Sequence, residues 1–189
     1  MNSNDDNAKD KIIKITMDML NEVDEPDKIT VRQIAQRANV GIGLINYHFQ
    51  SKENLLFKAV SDTMSTLAKE LQKSKDGKPE NPVEKLKLML KELVDFAIRY
   101  NKLSLILVSH TIQQGNMEVP LYLVPILKDI YGSAKDEIEI RIIALEIVST
   151  LQVAYMNSQK FQLYIGMDIN NKLQRDKLID TVINSIIKK

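Results

Sequence analysis

Between Thr30 and Leu55 the chain gathers side chains suited to gripping a polyanion and reading its base edges. Asn46 carries an amide that can pair bidentately with adenine, and Ile42 offers an apolar group that can meet a thymine methyl. Tyr47 can donate to a phosphate or pack on a sugar. The competing readings are a solvated amide for Asn46 and half-buried packing for Tyr47. Thr30 can donate to a phosphate as well as cap a helix, and Arg32 can reach a base or the backbone. Lys52 stands in the first turn of a helix, where a cation is mildly unfavourable to the helix dipole unless a phosphate offsets it. As solvated surface residues, Arg32 and Lys52 would be unremarkable.

These side chains need a frame, and the pattern around them supplies one. Val31, Ile34, Ala35 and Ala38 fall on one helical face, and Leu44, Ile45 and Phe49 on another. Between them lie Asn39, Val40 and Gly41. Asn is among the few non-glycine residues that tolerate the left-handed backbone of a sharp turn. Thr30 with Gln33 forms a capping-box pattern, Ser51 with Asn54 repeats the device less well, and Glu53 suits the positive end of the following helix. Small Ala35, Ala38 and Gly43 allow a close approach of the two helices. The reading is a helix-turn-helix, a motif that lays its second helix in the DNA major groove. That recognition helix is expected from about Ile42 to His48, with Ile42, Gly43, Asn46 and Tyr47 outward, and Leu44, Ile45 and Phe49 turned to the motif's core.

The rest of the chain narrows the function classes. No cysteine is present, which excludes disulfides, zinc–thiolate sites and cysteine nucleophiles. The two histidines, His48 and His110, are too few and too far apart to suggest a metal site or a triad. No Gly-rich phosphate loop, H-E-x-x-H or G-x-S-x-G occurs, so neither an enzyme nor a cofactor is expected. No apolar run is long enough to span a membrane, and the polar, acidic start does not resemble a signal peptide, so a cytoplasmic protein is expected. The net charge of +1 conceals a division. From Lys28 to Lys58 the basic residues are Lys28, Arg32, Arg37, Lys52 and Lys58 against the single acid Glu53, whereas the preceding stretch through Asp27, including Asp24 and Glu25, is acidic. A local positive face is therefore available to phosphates.

Helical periodicity runs through the whole chain, with few glycines or prolines, and predicts an all-α fold. A first helix is expected from about Ala8 to Val23, burying Ile12, Ile15, Met19 and Leu20, and ending before Pro26. A long helix carries Leu55 through Leu71, and the polar segment at 73–82 marks a boundary. The expected organisation is a helix-turn-helix domain over 1–55, a connecting helix over 56–72 and a second helical domain over 73–189. Late in the chain, a helix from about Ile138 to Gln159 is apolar around most of its circumference, and a final helix from about Asn171 to Ile187 carries a wide apolar stripe. Helices so apolar need cover on several sides, from the monomer core or from a second copy. The two-fold interface through these last two helices is the preferred reading.

The run from Thr30 to Leu55 resembles the DNA-binding segment of the TetR/AcrR-type transcriptional regulators. The resemblance is carried by Thr30, Ile34, Ala35, Ala38, Val40, Gly43, His48, Phe49, Ser51, Lys52, Glu53 and Leu55 at fixed spacing. Three positions depart from the pattern: Asn39 replaces glycine, Gly41 replaces the Ser or Thr that would cap the recognition helix, and Asn46 replaces tyrosine. With the preceding helix, the match covers about the first third of the chain. It implies that His48 and Lys52 hold phosphates and that Leu44 lies near the bases. It also implies a carboxy-terminal helical domain for effector binding and dimerisation. The residues that could line a pocket there are Met89, Phe96, His110, Met117, Tyr122, Gln152, Tyr155 and Met156, all of which can equally be core. No basic cluster points to a strongly anionic ligand, so an apolar or amphipathic effector is favoured. The function implied is a dimeric repressor released from a palindromic double-stranded DNA operator by a small ligand. The alternative is an architectural or activating DNA-binding protein without an effector.

Overall fold

The computed structural model describes residues 3–23, 26–73 and 81–187. Among the described residues there are ten α-helices, one 3-10 turn and no strand. In chain order they are α1 (Ser3–Glu22), the turn Pro26–Lys28, α2 (Val31–Ala38), α3 (Ile42–Phe49), α4 (Lys52–Lys73), α5 (Pro82–Arg99), α6 (Asn101–Gln113), α7 (Glu118–Tyr131), α8 (Glu137–Met156), α9 (Ser158–Ile165) and α10 (Lys172–Ile186). The chain forms two compact units, residues 1–63 and 64–189, and the division falls inside α4. Most of the polar segment read as a boundary, 74–80, lies outside the described residues, as do Asp24 and Glu25.

In the first unit, α1 packs on both α2 and α3. It buries Ile12, Ile13, Thr16, Met17 and Leu20, with the Thr16 hydroxyl donating to the Ile12 carbonyl at 2.7 Å. The expected stripe is corrected by this: Ile15 and Met19 are only half-buried, because two neighbouring helices draw Ile13 and Met17 into the inner arc.

Helix α2 starts on a complete capping box. Gln33 N–H donates to Thr30 Oγ1 at 3.3 Å, and Thr30 N–H donates to Gln33 Oε1 at 2.9 Å. The helix ends on Asn39 in the left-handed region, at φ 52° and ψ 52°, with Val40 N–H closing back on the Ala35 carbonyl at 3.0 Å. This is a Schellman-type close in which asparagine occupies the place glycine usually takes. Gly41 then starts α3 without a side-chain cap, and Ser51 Oγ accepts from Asn54 N–H at 3.0 Å at the start of α4.

The second unit is held by a core in which α5, α7, α8 and α10 meet, around Leu86, Met89, Leu123, Leu127, Ile147 and Ile183. Here α5 begins at the cap Asn81 with Pro82 in its first turn, and α8 begins on a second capping box, Asp136 with Glu139. Between α5 and α6 the helical path breaks at Tyr100. The buried Tyr155 hydroxyl closes the break, lying 3.0 Å from the Ala97 carbonyl and 3.1 Å from that of Asn101.

Two expectations about the late helices change. The helix read from Ile138 to Gln159 ends at Met156, where Asn157 (φ −120°, ψ 35°) leaves helical geometry and a separate α9 begins. The stripe of α10 is spent inside the monomer: Leu178, Ile179, Val182 and Ile183 are buried there, leaving Leu173 exposed. The uncovered apolar surface lies instead on α8, at Ile138, Ile142, Leu145, Val153 and Met156, and on α9, at Leu163 and Tyr164. Residues spaced 4, 3, 8 and 3 apart form one stripe along α8.

Candidate nucleic-acid interface

Helix α3 divides cleanly into two faces. Ile45 and Phe49 are buried in the first unit, and Leu44 and His48 are half-buried at the margin. Gly41, Ile42, Gly43, Asn46 and Tyr47 are exposed, Ile42 at 45% and Tyr47 at 73%. An isoleucine and a tyrosine that open to solvent on a helix of eight residues are poorly explained by the fold. The half-buried reading of Tyr47 is therefore set aside.

The glycine at 43 has a different role from the one its size suggests. A Cβ built there would meet nothing within 4 Å, so Gly43 is not needed for close packing of α2 on α3. That packing rests on Ile34, Ala35 and Ala38 against Ile45 and Phe49.

The rings of Tyr47, His48 and Phe49 lie in succession. Those of Tyr47 and His48 meet edge-on at 5.1 Å, and those of His48 and Phe49 at 5.9 Å. Just beyond, Gln50 takes φ 66° and ψ −39°, and Ser51 N–H donates to the Phe49 carbonyl at 2.7 Å. This is the rare positive-φ γ-turn, a strained conformation for a residue with a side chain. It turns the chain directly from α3 into α4, placing Ser51 and Lys52 one turn from the exposed face. No residue type in the sequence signals it.

The cations are not equivalent. Glu22 holds Arg37 through two contacts, one of them from Nη2 at 2.5 Å, and Lys58 pairs with Asp62 at 2.8 Å. The hydrogen bond to Arg37 holds the Glu22 carboxyl below the usual carboxylate range. Arg32 is exposed, and no ion pair among the described residues engages it. Lys52 sits half-buried in the first turn of α4, and Thr30 is exposed with its Oγ1 also donating to Gln33 Oε1 at 2.8 Å.

A helix-turn-helix with this outward face matches a known pattern. The profile of the bacterial regulatory proteins of the tetR family matches residues 24–59, which span α2, α3 and the start of α4. Residues 24–59 thus carry a DNA-binding segment of the tetR type. Its fold as a whole is similar to the crystal structure of a candidate transcriptional regulator from Pseudomonas aeruginosa PAO1, with TM-score 0.53 and 17% identity over 94% of this chain and 89% of the other. No curated protein matches the sequence. The structural likeness shows that the two chains share a fold.

In the second unit, the residues expected to line a pocket do not form one group. Met89 is buried in the main core of the second unit, and Tyr155 is buried beneath the α5–α6 break. Phe96 meets Tyr100 with the rings tilted by 54° and their centroids 4.7 Å apart. Tyr122 and Gln152 are half-buried, and Met117 is exposed at the start of α7. Met89 and Tyr122 meet in the main core, and His110 and Met156 come together at the surface. The latter two line an open cleft of about 480 Å³ with Leu105, Ile106, Ser109 and Gln113. Sequence reasoning missed Ser109 and Gln113, which follow from the α6 register once His110 is placed. Among the described residues no group of His, Asp or Glu could hold a metal ion, and no helix is long and apolar enough to cross a membrane.

Proposed function

We propose that this chain is a TetR-family regulator that acts in the cytoplasm as a dimeric repressor, released from a palindromic operator by a small apolar or amphipathic ligand. The observation that carries the reading is the outward face of α3, where Ile42, Gly43, Asn46 and Tyr47 are exposed on a helix anchored from behind by Ile45 and Phe49. Thr30, Arg32, His48 and Lys52 serve as phosphate holders around it, with Leu44 at the edge. Residues 1–55 read DNA, α4 connects over 56–72, and 73–189 carry effector binding and dimerisation. Support for a two-fold partner comes from the uncovered stripe of α8 and from α9, since useful specificity generally needs two half-sites. The cleft holding His110 and Met156 is the effector site in this reading, its lining mixing aliphatic groups with a few polar ones. If ligand weakens operator binding by some factor, linkage requires operator to weaken ligand binding by the same factor.

A second reading, an architectural or activating DNA-binding protein without effector, is favoured by the core positions of Met89 and Tyr155, which leave those side chains no room to line a pocket.

The test is selection of bound sequences from a random pool of double-stranded DNA at fixed salt. One palindromic motif is expected, with half-site spacing set by the two α3 helices. Binding that enriches no motif and merely fades with salt would leave only phosphate attraction.

A further inference from the structure

Gly43 presents a contradiction that the fold does not resolve. It lies in the first turn of a helix at negative φ, so alanine would fit its backbone conformation and would stabilise the helix. Its Cβ would enter open space. Nothing inside the molecule calls for a glycine, yet its surroundings are built. Ile42 and Asn46 are one helical turn apart on an exposed row, and Tyr47 stands one turn beyond Gly43 on the neighbouring row. The missing side chain leaves a gap bordered by an aliphatic group, a primary amide and a phenol. A gap that the protein does not fill is clearance for what it docks on.

Ile42 and Asn46 are about 6 Å apart along the helix axis, close to two steps of ~3.4 Å in B-form DNA. In the major groove an amide distinguishes adenine by pairing with N6 and N7, and an aliphatic side chain distinguishes thymine by its C5 methyl. We infer that each operator half-site carries an adenine read by Asn46 and, within about two base pairs, a thymine whose methyl packs on Ile42, and that Gly43 is left bare so that α3 can lie deep enough for both. The inference rests on the DNA-reading role of α3 proposed above and adds the bases and the reason for the glycine.

The test uses the full-length protein and duplexes recovered by the selection experiment, in three arms read by fluorescence anisotropy. Replacing the paired adenine with 7-deazaadenine should weaken binding ~10-fold for the wild type and leave Asn46→Ala unchanged, since that variant has already lost the contact. Replacing the thymine with deoxyuridine should weaken binding about 4-fold for the wild type, the worth of roughly one buried methyl group, and leave Ile42→Ala unchanged. Gly43→Ala should melt higher than the wild type while binding the selected duplex at least ~10-fold more weakly. All three substituted positions are exposed, so circular dichroism should be unaltered. A selected motif indifferent to both base analogues, or a Gly43→Ala protein that binds as the wild type does, overturns the inference while leaving the regulator intact. Failure to enrich any motif removes the sequence-reading role of α3 itself.

Discussion

Asp95 on α5 accepts two hydrogen bonds from Arg175 on α10 through a single oxygen, from Nε at 2.8 Å and from Nη2 at 2.6 Å. Arg175 is 5% exposed, and its Nη1 also donates to the Ile169 and Asn170 carbonyls at 2.7 and 3.2 Å, tying the α9–α10 loop to α5. Lys172 takes the other oxygen of Asp95. A buried guanidinium is tolerated only when its donors are met, so the two residues stand or fall together.

Removing the acceptor should therefore cost more than a surface ion pair. Asp95→Ala is expected to lower unfolding free energy by about 3 kcal/mol, because Arg175 stays buried with its charge unmatched. Burial alone would raise the Asp95 carboxyl, but the hydrogen bonds from Lys172 and Arg175 outweigh it and hold the group below its usual value. A depressed folded pKa means stability that is present above about pH 4, the unfolded value, and lost as pH falls through the folded one. Urea titrations from pH 6 downward should show a steeper acid loss for the wild type than for Asp95→Asn.

At the alkaline end the sign reverses. Burial pushes the Tyr155 phenol up to about 12, against a smaller opposing effect of the Ser104 hydroxyl. A raised folded pKa means that its contribution is intact below about pH 10, the ordinary tyrosine value, and is lost between there and pH 12. Absorbance titration should find a tyrosine ionising near pH 12 that is missing in Tyr155→Phe. That variant should also be less stable at neutral pH by ~1–2 kcal/mol, having left the carbonyls at the helix break without their donor.

Thr30 caps α2, and substitution can separate that duty from the DNA contact proposed for it. Thr30→Ala should lower stability by about 1 kcal/mol through loss of the cap and should also weaken DNA binding. Thr30→Asp keeps a capping oxygen and suits the helix dipole, so its melting temperature should stay near that of the wild type. Its carboxylate would face phosphate, and DNA affinity should fall further than in the alanine variant. Equal DNA affinity for wild type and Thr30→Asp would remove Thr30 from the interface.

The stripe on α8 gives a test of assembly that folding does not confound. Ile142 and Val153 are already 51% and 56% exposed, so glutamate at both positions costs the monomer little. Across a two-fold axis the same charges would face their own copies. Sedimentation should show Ile142→Glu/Val153→Glu as a monomer with unchanged helicity, and its affinity for a two-half-site duplex should drop accordingly. A persistent dimer would move the interface away from α8.

The parts of this protein that were legible in its sequence are those set by local rules. Thr30 with Gln33, the left-handed Asn39, Ser51 with Asn54 and the inward positions Ile34, Ala35, Ala38, Ile45 and Phe49 all follow from residue type and spacing within a few positions. What escaped was tertiary. Whether the α10 stripe meets its own core or a second copy depends on which helix covers it, and periodicity does not contain that information. Arg175 reads as a surface residue until Asp95, 80 positions away, is placed against it. Gln50 adopts its turn because α3 and α4 are each fixed by packing, against its own preference. Gly43 reads as a packing glycine in the sequence because small size serves internal contact and external clearance alike.

Helix α3 has eight residues, starts on a glycine without a side-chain cap, carries another glycine and runs out into a strained turn. Alone in water such a segment would be coil. It is helical because Ile45 and Phe49 are pinned, which makes it a tenant of α1 and α2 rather than an independent rod. Its amides should consequently exchange with solvent through local opening well before those of α1, and docking in a groove should slow them. In the proposed role, base reading falls to a marginal helix with order still to gain, so part of the free energy of recognition is spent on finishing the fold.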